Sequence, residues 1–159
     1  MRKTILFLAC LGISGSLWAA DPIAGTWKIN LEKSKFPERF PAPKENTEIY
    51  REVGPDQIEM TYSSSNRDGT SNLAICTYPA QGGAMVCRQE GAVGEMEGIS
   101  LFQMFVGPGE WYAIYIQNGK QVGTRHKVVS KDGKTMRQTM KAPEYMGKPL
   151  EAILIMEKQ

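Results

Sequence analysis

His126 is the only histidine in this chain of 159 residues, and it is the natural place to look for chemistry, because an imidazole titrates near neutral pH. It could act as a general base, a haem ligand or a contact to a bound molecule. Alternation over 120–130 sets Val122, Thr124, His126 and Val128 on one face, so the ring is expected among apolar side chains. Acid–base or nucleophilic catalysis needs placed partners as well, and the sequence identifies none. A histidine satisfied by a hydrogen bond in a core or at a rim is the simpler reading.

The other candidate groups are no better organised for catalysis. Glu90, Glu95 and Glu97 alternate with Gly91, Gly94 and Gly98. Paired-carboxylate chemistry requires a defined separation across a cleft, which a glycine-rich loop does not provide, so a solvated loop is expected there. Methionines at 60, 85, 96, 104, 136, 140, 146 and 156 are spread along the chain. A thioether metal site would need them clustered, so they read as core filler or as adaptable lining for an apolar cavity. Gly82-Gly83 and Gly107-Pro108-Gly109 are turns rather than phosphate cradles, since neither opens a helix after a strand. No metal and no cofactor are expected.

The chain opens with Met1-Arg2-Lys3, an apolar run from Thr4 to Ile13, and Ala19-Ala20 before Asp21-Pro22. That is the layout of a secretory signal peptide over residues 1–20, with cleavage after Ala19 or Ala20. The run is too short for a spanning helix, so no stable membrane span is expected after cleavage, and residues 21–159 are expected to form a single domain. Losing Arg2 and Lys3 takes the 19 basic residues to 17, equal to the 17 acidic ones. A nucleic-acid binder carries a basic excess on one face, so nucleic acid is an unsuitable partner. Export to the periplasm or the cell exterior also places Cys76 and Cys87 where disulfides persist. They lie equally far from a turn centre between Gln81 and Gly82 in the turn-forming Gln81-Gly82-Gly83, so a hairpin turning there brings them opposite each other, close enough to bridge. The alternatives are buried reduced cysteines or a metal pair, the latter lacking a second Cys/His pair to complete a site.

The rest of the sequence supplies a scaffold. Residues 32–45 hold three prolines and no sustained period, and read as a long loop, at most with a helical turn. Strands are expected near 25–31, 46–53, 57–63, 72–78, 84–89, 100–106, 110–117, 120–130, 134–140 and 151–158. Glycine or asparagine turns separate many of them, Asn118-Gly119 being the clearest hairpin signal. The fold class is therefore all-β, an antiparallel up-and-down meander of 8–10 strands that closes as a barrel or folds as a sandwich, since an open sheet of that size would leave long edges. Strands 110–117 and 151–158 are apolar on both faces and should need cover from a loop, a helix or a partner subunit.

Gly25-Thr26-Trp27, directly after the signal, resembles the G-x-W motif that opens the first strand of lipocalins and fatty-acid-binding proteins. Together with Lys33-Ser34-Lys35-Phe36, Val128-Val129-Ser130-Lys131-Asp132-Gly133 and Glu157-Lys158, it is similar to a group of small exported bacterial lipocalin-like proteins with no assigned function. The resemblance implies a calycin-type barrel and no particular chemistry. It also implies that Trp27 is structural, packed at the closed end under a basic side chain from late in the chain, with Arg137 the first candidate and Lys158 the second. Face alternation then nominates Met60, Tyr62, Phe102, Met104, Trp111, Tyr115 and His126 as interior lining. The expected function is binding of a small apolar or amphipathic ligand rather than turnover. The alternatives are an isomerase or hydrolase using His126, or a module that dimerises through its doubly apolar strands.

Overall fold

The computed structural model describes residues 21–38, 40, 42–91, 98–145 and 148–159. The expected signal peptide, together with Glu95 and Glu97, lies outside the described residues. Ten strands follow one another: β1 Gly25–Ile29, β2 Glu45–Gly54, β3 Gln57–Ser65, β4 Ser71–Pro79, β5 Gly82–Gly91, β6 Ile99–Gly107, β7 Glu110–Gln117, β8 Lys120–Val129, β9 Thr135–Tyr145 and β10 Lys148–Lys158. Each pairs antiparallel with its chain neighbours, and β10 returns to β1 to close a barrel. Closure removes the sheet edges that a ten-strand meander would otherwise expose. No helix occurs among the described residues. The stretch expected as a loop makes turns and one bridge, Lys35 to Ile153 on β10.

Local chemistry explains the key turns. Asn118 and Gly119 both have positive φ, 51° and 74°, as a type I′ hairpin requires. Gly25 has φ 129°, and a Cβ there would lie 2.6 Å from Lys158 Cε. A side chain at this position would be strained by the positive φ and would push aside the flexible end of Lys158.

One end of the barrel is closed by residues 21–24. Ile23 is buried, Trp27 Nε1 donates to its carbonyl at 2.7 Å, and Asp21 accepts from Trp111 Nε1 at 3.3 Å and from the Gly109 amide at 3.2 Å. Both indoles are thus tied to the plug while Tyr78 and Phe105 pack edge-on against Trp111. Lys158 Nζ sits 5.1 Å from the Trp27 ring centroid. Arg137, the first candidate for that role, is exposed on the outer face of β9. It fails because its parity opposes that of the buried Met136 and Gln138, whereas Lys158 stands directly opposite Trp27 in register.

Two β-bulges decide which faces point inward. Between β6 and β7 the register shifts at Val106, so Trp111 faces Phe105 instead of Val106. Between β7 and β8 it shifts at Val122, so Trp111 faces Lys127 instead of His126. A one-residue shift exchanges the two faces of a strand. Phe102 and Met104 consequently point outward, 39% and 42% exposed, and so does His126; these three expectations of interior lining are corrected.

Cys76 and Cys87 are directly opposite in register and joined by a disulfide on the inner face. The crosslink closes a loop with a sequence separation of 11, for which chain-entropy reasoning gives about 2–3 kcal/mol. Replacing both cysteines by serine should lower the unfolding free energy by that amount in a urea titration, and reducing the wild type should move its midpoint in the same direction.

Candidate functional site

The inner faces of β2, β8 and β9 bring together groups from distant parts of the chain. β2 alternates so that Asn46, Glu48 and Tyr50 point inward, and the bulge at Val122 turns Arg125 and Lys127 toward them from β8. Gln138 arrives from β9, opposite Lys127. Glu48 is fully buried. Its Oε1 takes Arg125 Nη1 at 3.3 Å, and its Oε2 accepts from Gln138 Nε2 at 2.8 Å and from the Tyr50 hydroxyl. Lys127, 1% exposed, donates to the Tyr50 hydroxyl at 2.8 Å and lies over the Tyr50 ring. Arg125 rests against the Tyr115 ring and the Met140 sulfur.

The electrostatics follow from burial and count. Burial alone would push the Glu48 carboxyl up, but Lys127, Arg125 and the hydrogen bonds from Tyr50 and Gln138 outweigh it and hold the group below its usual range. Burial pushes Lys127 down, and although Glu48 opposes this, repulsion from Arg125 adds to it, leaving the amine at about 8. The Tyr50 phenol is driven well up by burial and by the adjacent carboxylate. One carboxylate therefore serves two basic groups, and it contacts only Arg125 directly. Several buried polar atoms find no protein partner among the described residues: Arg125 Nε, Tyr78 hydroxyl, Gln103 Oε1, Gln138 Oε1 and Asn46 Oδ1.

Packing divides the interior in two. Toward the plug, Trp27, Tyr50, Tyr78, Trp111, Met136 and Met156 are fully buried. Toward the opposite end, inward-facing Tyr62, Leu101, Tyr115 and Met140 are only half-buried, and the Arg125 side chain keeps 14% of its surface accessible. Because these side chains point inward, that surface opens into the barrel. A separate groove of about 460 Å³ at the rim of β2, β3 and β4 is lined mostly by outward-facing residues, including Thr47, Ser63, Ser65 and Leu73, and is distinct from this interior space.

Among the residues expected to line the interior, Tyr62 and Tyr115 stand in this looser half, while Met60 and Trp111 are in the packed half. His126 is on the outer wall, 2.8 Å from Glu110 and beside Tyr112, so it cannot serve a molecule inside the barrel. The β5 backbone pairs Glu90 with Leu73; no cluster of three or more His, Cys, Asp or Glu side chains suited to a metal occurs among the described residues. The polar layer of Glu48, Arg125, Lys127 and Gln138 was not anticipated. Its members lie on faces whose alternative partners, Ile49 in β2 and Val122 and Val128 in β8, look more apolar.

Solved structures share this architecture. Wild-type fluorescent protein UnaG superposes with a TM-score of 0.53 at 12% identity, over 86% of this chain and 96% of that one. A single-site UnaG mutant gives 0.56 at 11%, over 89% and 99%. The fold shared with them is a closed antiparallel β-barrel. Rv2717c from M. tuberculosis aligns with a TM-score of 0.49 at 16% identity, over 87% and 93%. No protein-family model and no curated protein sequence matches the chain. Identities this low carry the fold and not the chemistry.

The shifted lysine has a thermodynamic signature. Between about pH 8 and its unfolded value near 10.5, the unfolded chain holds a proton at Lys127 that the folded chain has released, so stability rises with pH across that window. Below pH 8 both states are protonated and the dependence disappears. Relative to Lys127→Met, the wild type should gain about 2 kcal/mol between pH 7 and pH 9.5 in paired urea titrations, the common tyrosine contributions cancelling.

Proposed function

We propose that this chain is an exported, lipocalin-like binding protein that takes a small amphipathic ligand into the looser half of its barrel. The ligand's polar end meets Arg125, and its apolar body lies against Tyr62, Leu101, Tyr115 and Met140. The observation that carries this reading is the Arg125 side chain: it points inward, keeps accessible surface inside the barrel, and has an Nε–H with no acceptor among the described residues. A buried guanidinium donor left without a partner is costly, and an acceptor atom on a bound molecule satisfies it. The apolar and aromatic surroundings suit the remainder of a ligand, as in most small-molecule pockets. The disulfide supports an oxidising compartment, in line with the signal-like first 20 residues.

Native mass spectrometry of the protein purified from its own host tests export and binding together. The expected species begins at Ala20 or Asp21, is two hydrogens lighter than the fully reduced chain, and carries a small molecule. A bare barrel that also fails to bind 1-anilinonaphthalene-8-sulfonate, an amphipathic anion, would overturn the binding reading. With that probe, Arg125→Met should weaken affinity by about tenfold to a hundredfold, the loss expected for one hydrogen bond to a charged group.

A second reading rests on the outer wall, where Val86, Phe102, Met104, Val106 and Val128 are exposed next to the apolar outer face of β7. Apolar strips of this kind mark interaction surfaces. Sedimentation at high concentration should then reveal a dimer that Met104→Lys disperses; a strict monomer would remove this reading.

A further inference from the structure

Every other described lysine is exposed, while Lys127 is buried inside the barrel. Its setting is unusual for a structural amine. Glu48 gives its oxygens to Arg125, Tyr50 and Gln138, and among the described residues the only hydrogen-bond partner of Lys127 Nζ is the Tyr50 hydroxyl, whose own proton is directed to Glu48. An ammonium ion in that position has three N–H groups and one neutral acceptor. An apolar side chain of similar length would avoid the desolvation cost altogether.

We infer that Lys127 is a covalent attachment site for an aldehyde or ketone ligand, which it holds as an imine inside the barrel. This rests on the binding reading above and names the functional group of the ligand. A desolvated lysine is nucleophilic because more of it is in the free-amine form. With its proton held at about pH 8, Lys127 presents a free-amine fraction about two orders of magnitude above that of a surface lysine at neutral pH.

The reaction balances without an oxidant or a reductant. The Nζ lone pair forms a bond to the carbonyl carbon while the C=O π pair moves onto oxygen. Both amine protons end on that oxygen, which leaves as water when the C=N bond forms. Tyr50, between Lys127 and Glu48, is placed to pass these protons. Approach is from the looser half: Lys127 lies two residues along β8 from Arg125, about 7 Å along the strand, and because it is 1% exposed the side chains above it must move aside to admit a ligand. A carbonyl compound therefore passes the guanidinium before it reaches the amine.

The experiment treats the full-length mature protein with equimolar cinnamaldehyde and cyanoborohydride, then maps the reduced adduct by peptide mass spectrometry. One adduct per chain on the Lys127 peptide is expected, lost in Lys127→Met while background labelling of surface lysines is unchanged. The site assignment in the wild type does not depend on how well that variant folds. Labelling scattered over exposed lysines, with no preference for Lys127, overturns the inference. Cinnamyl alcohol, which cannot form an imine, separates the two claims through quenching of tryptophan fluorescence. If the alcohol binds and no Lys127 adduct forms, the covalent site is wrong and the binding reading stands. If neither compound engages the barrel, both are wrong.

Discussion

A carboxylate with no solvent contact must be neutralised and hydrogen-bonded where it lies, and that requirement on Glu48 organises much of this barrel. Its partners come from β8 and β9, 77 and 90 residues away in sequence. The ion pair therefore joins walls that hairpin pairing alone would leave independent. Such a pair adds little net stability over a well-packed apolar core, but removing one member leaves an unpaired buried charge and costs several kcal/mol. Its effect is on specificity. The ten strands can close in only one phase that brings Arg125 to Glu48.

The plug works by a different kind of force. Ile23, Trp27, Trp111 and Tyr78 bury large apolar surfaces, and the indole N–H groups are satisfied by Ile23 O and Asp21. The two indoles thus fill space with their N–H groups satisfied, while the buried Tyr78 hydroxyl has no partner among the described residues. This lower half is closely packed, and the half-buried inward side chains lie toward the other end. The unpartnered atoms Arg125 Nε and Gln138 Oε1 belong to the layer between the two halves, where a packed core meets space that a molecule can enter.

Much of this architecture was legible in the sequence. All ten strands were, because period-two alternation and turn residues such as Asn118-Gly119 are local signals. The Cys76–Cys87 bridge followed from symmetry about a single hairpin. The lining was less legible. Phe102, Met104 and His126 share a face with Trp111 and Tyr115 if the β6–β7 and β7–β8 hairpins run without interruption, and each of those hairpins contains a bulge. β6 and β7 are apolar on both faces, so hydrophobicity gives no correction there, and in β8 the more apolar face is the outer one. The polar layer was hidden for a related reason: its selection depends on a partner on β2, far away in sequence, and no local pattern records that.

Viewed as a code, an alternating strand carries one binary choice, and a bulge inverts it for everything downstream. β8 thus holds two messages. One phase offers Gly123, Arg125, Lys127 and Val129 to the interior; the other offers Val122, Thr124, His126 and Val128. The first makes a cationic chamber and the second a neutral one containing an imidazole. The amino acids of the strand are the same in both. What reads the message is Glu48, since only the first phase neutralises it. The chemical character of this barrel's interior is therefore set as much by a single acidic residue on the opposite wall as by the strand that supplies the functional groups.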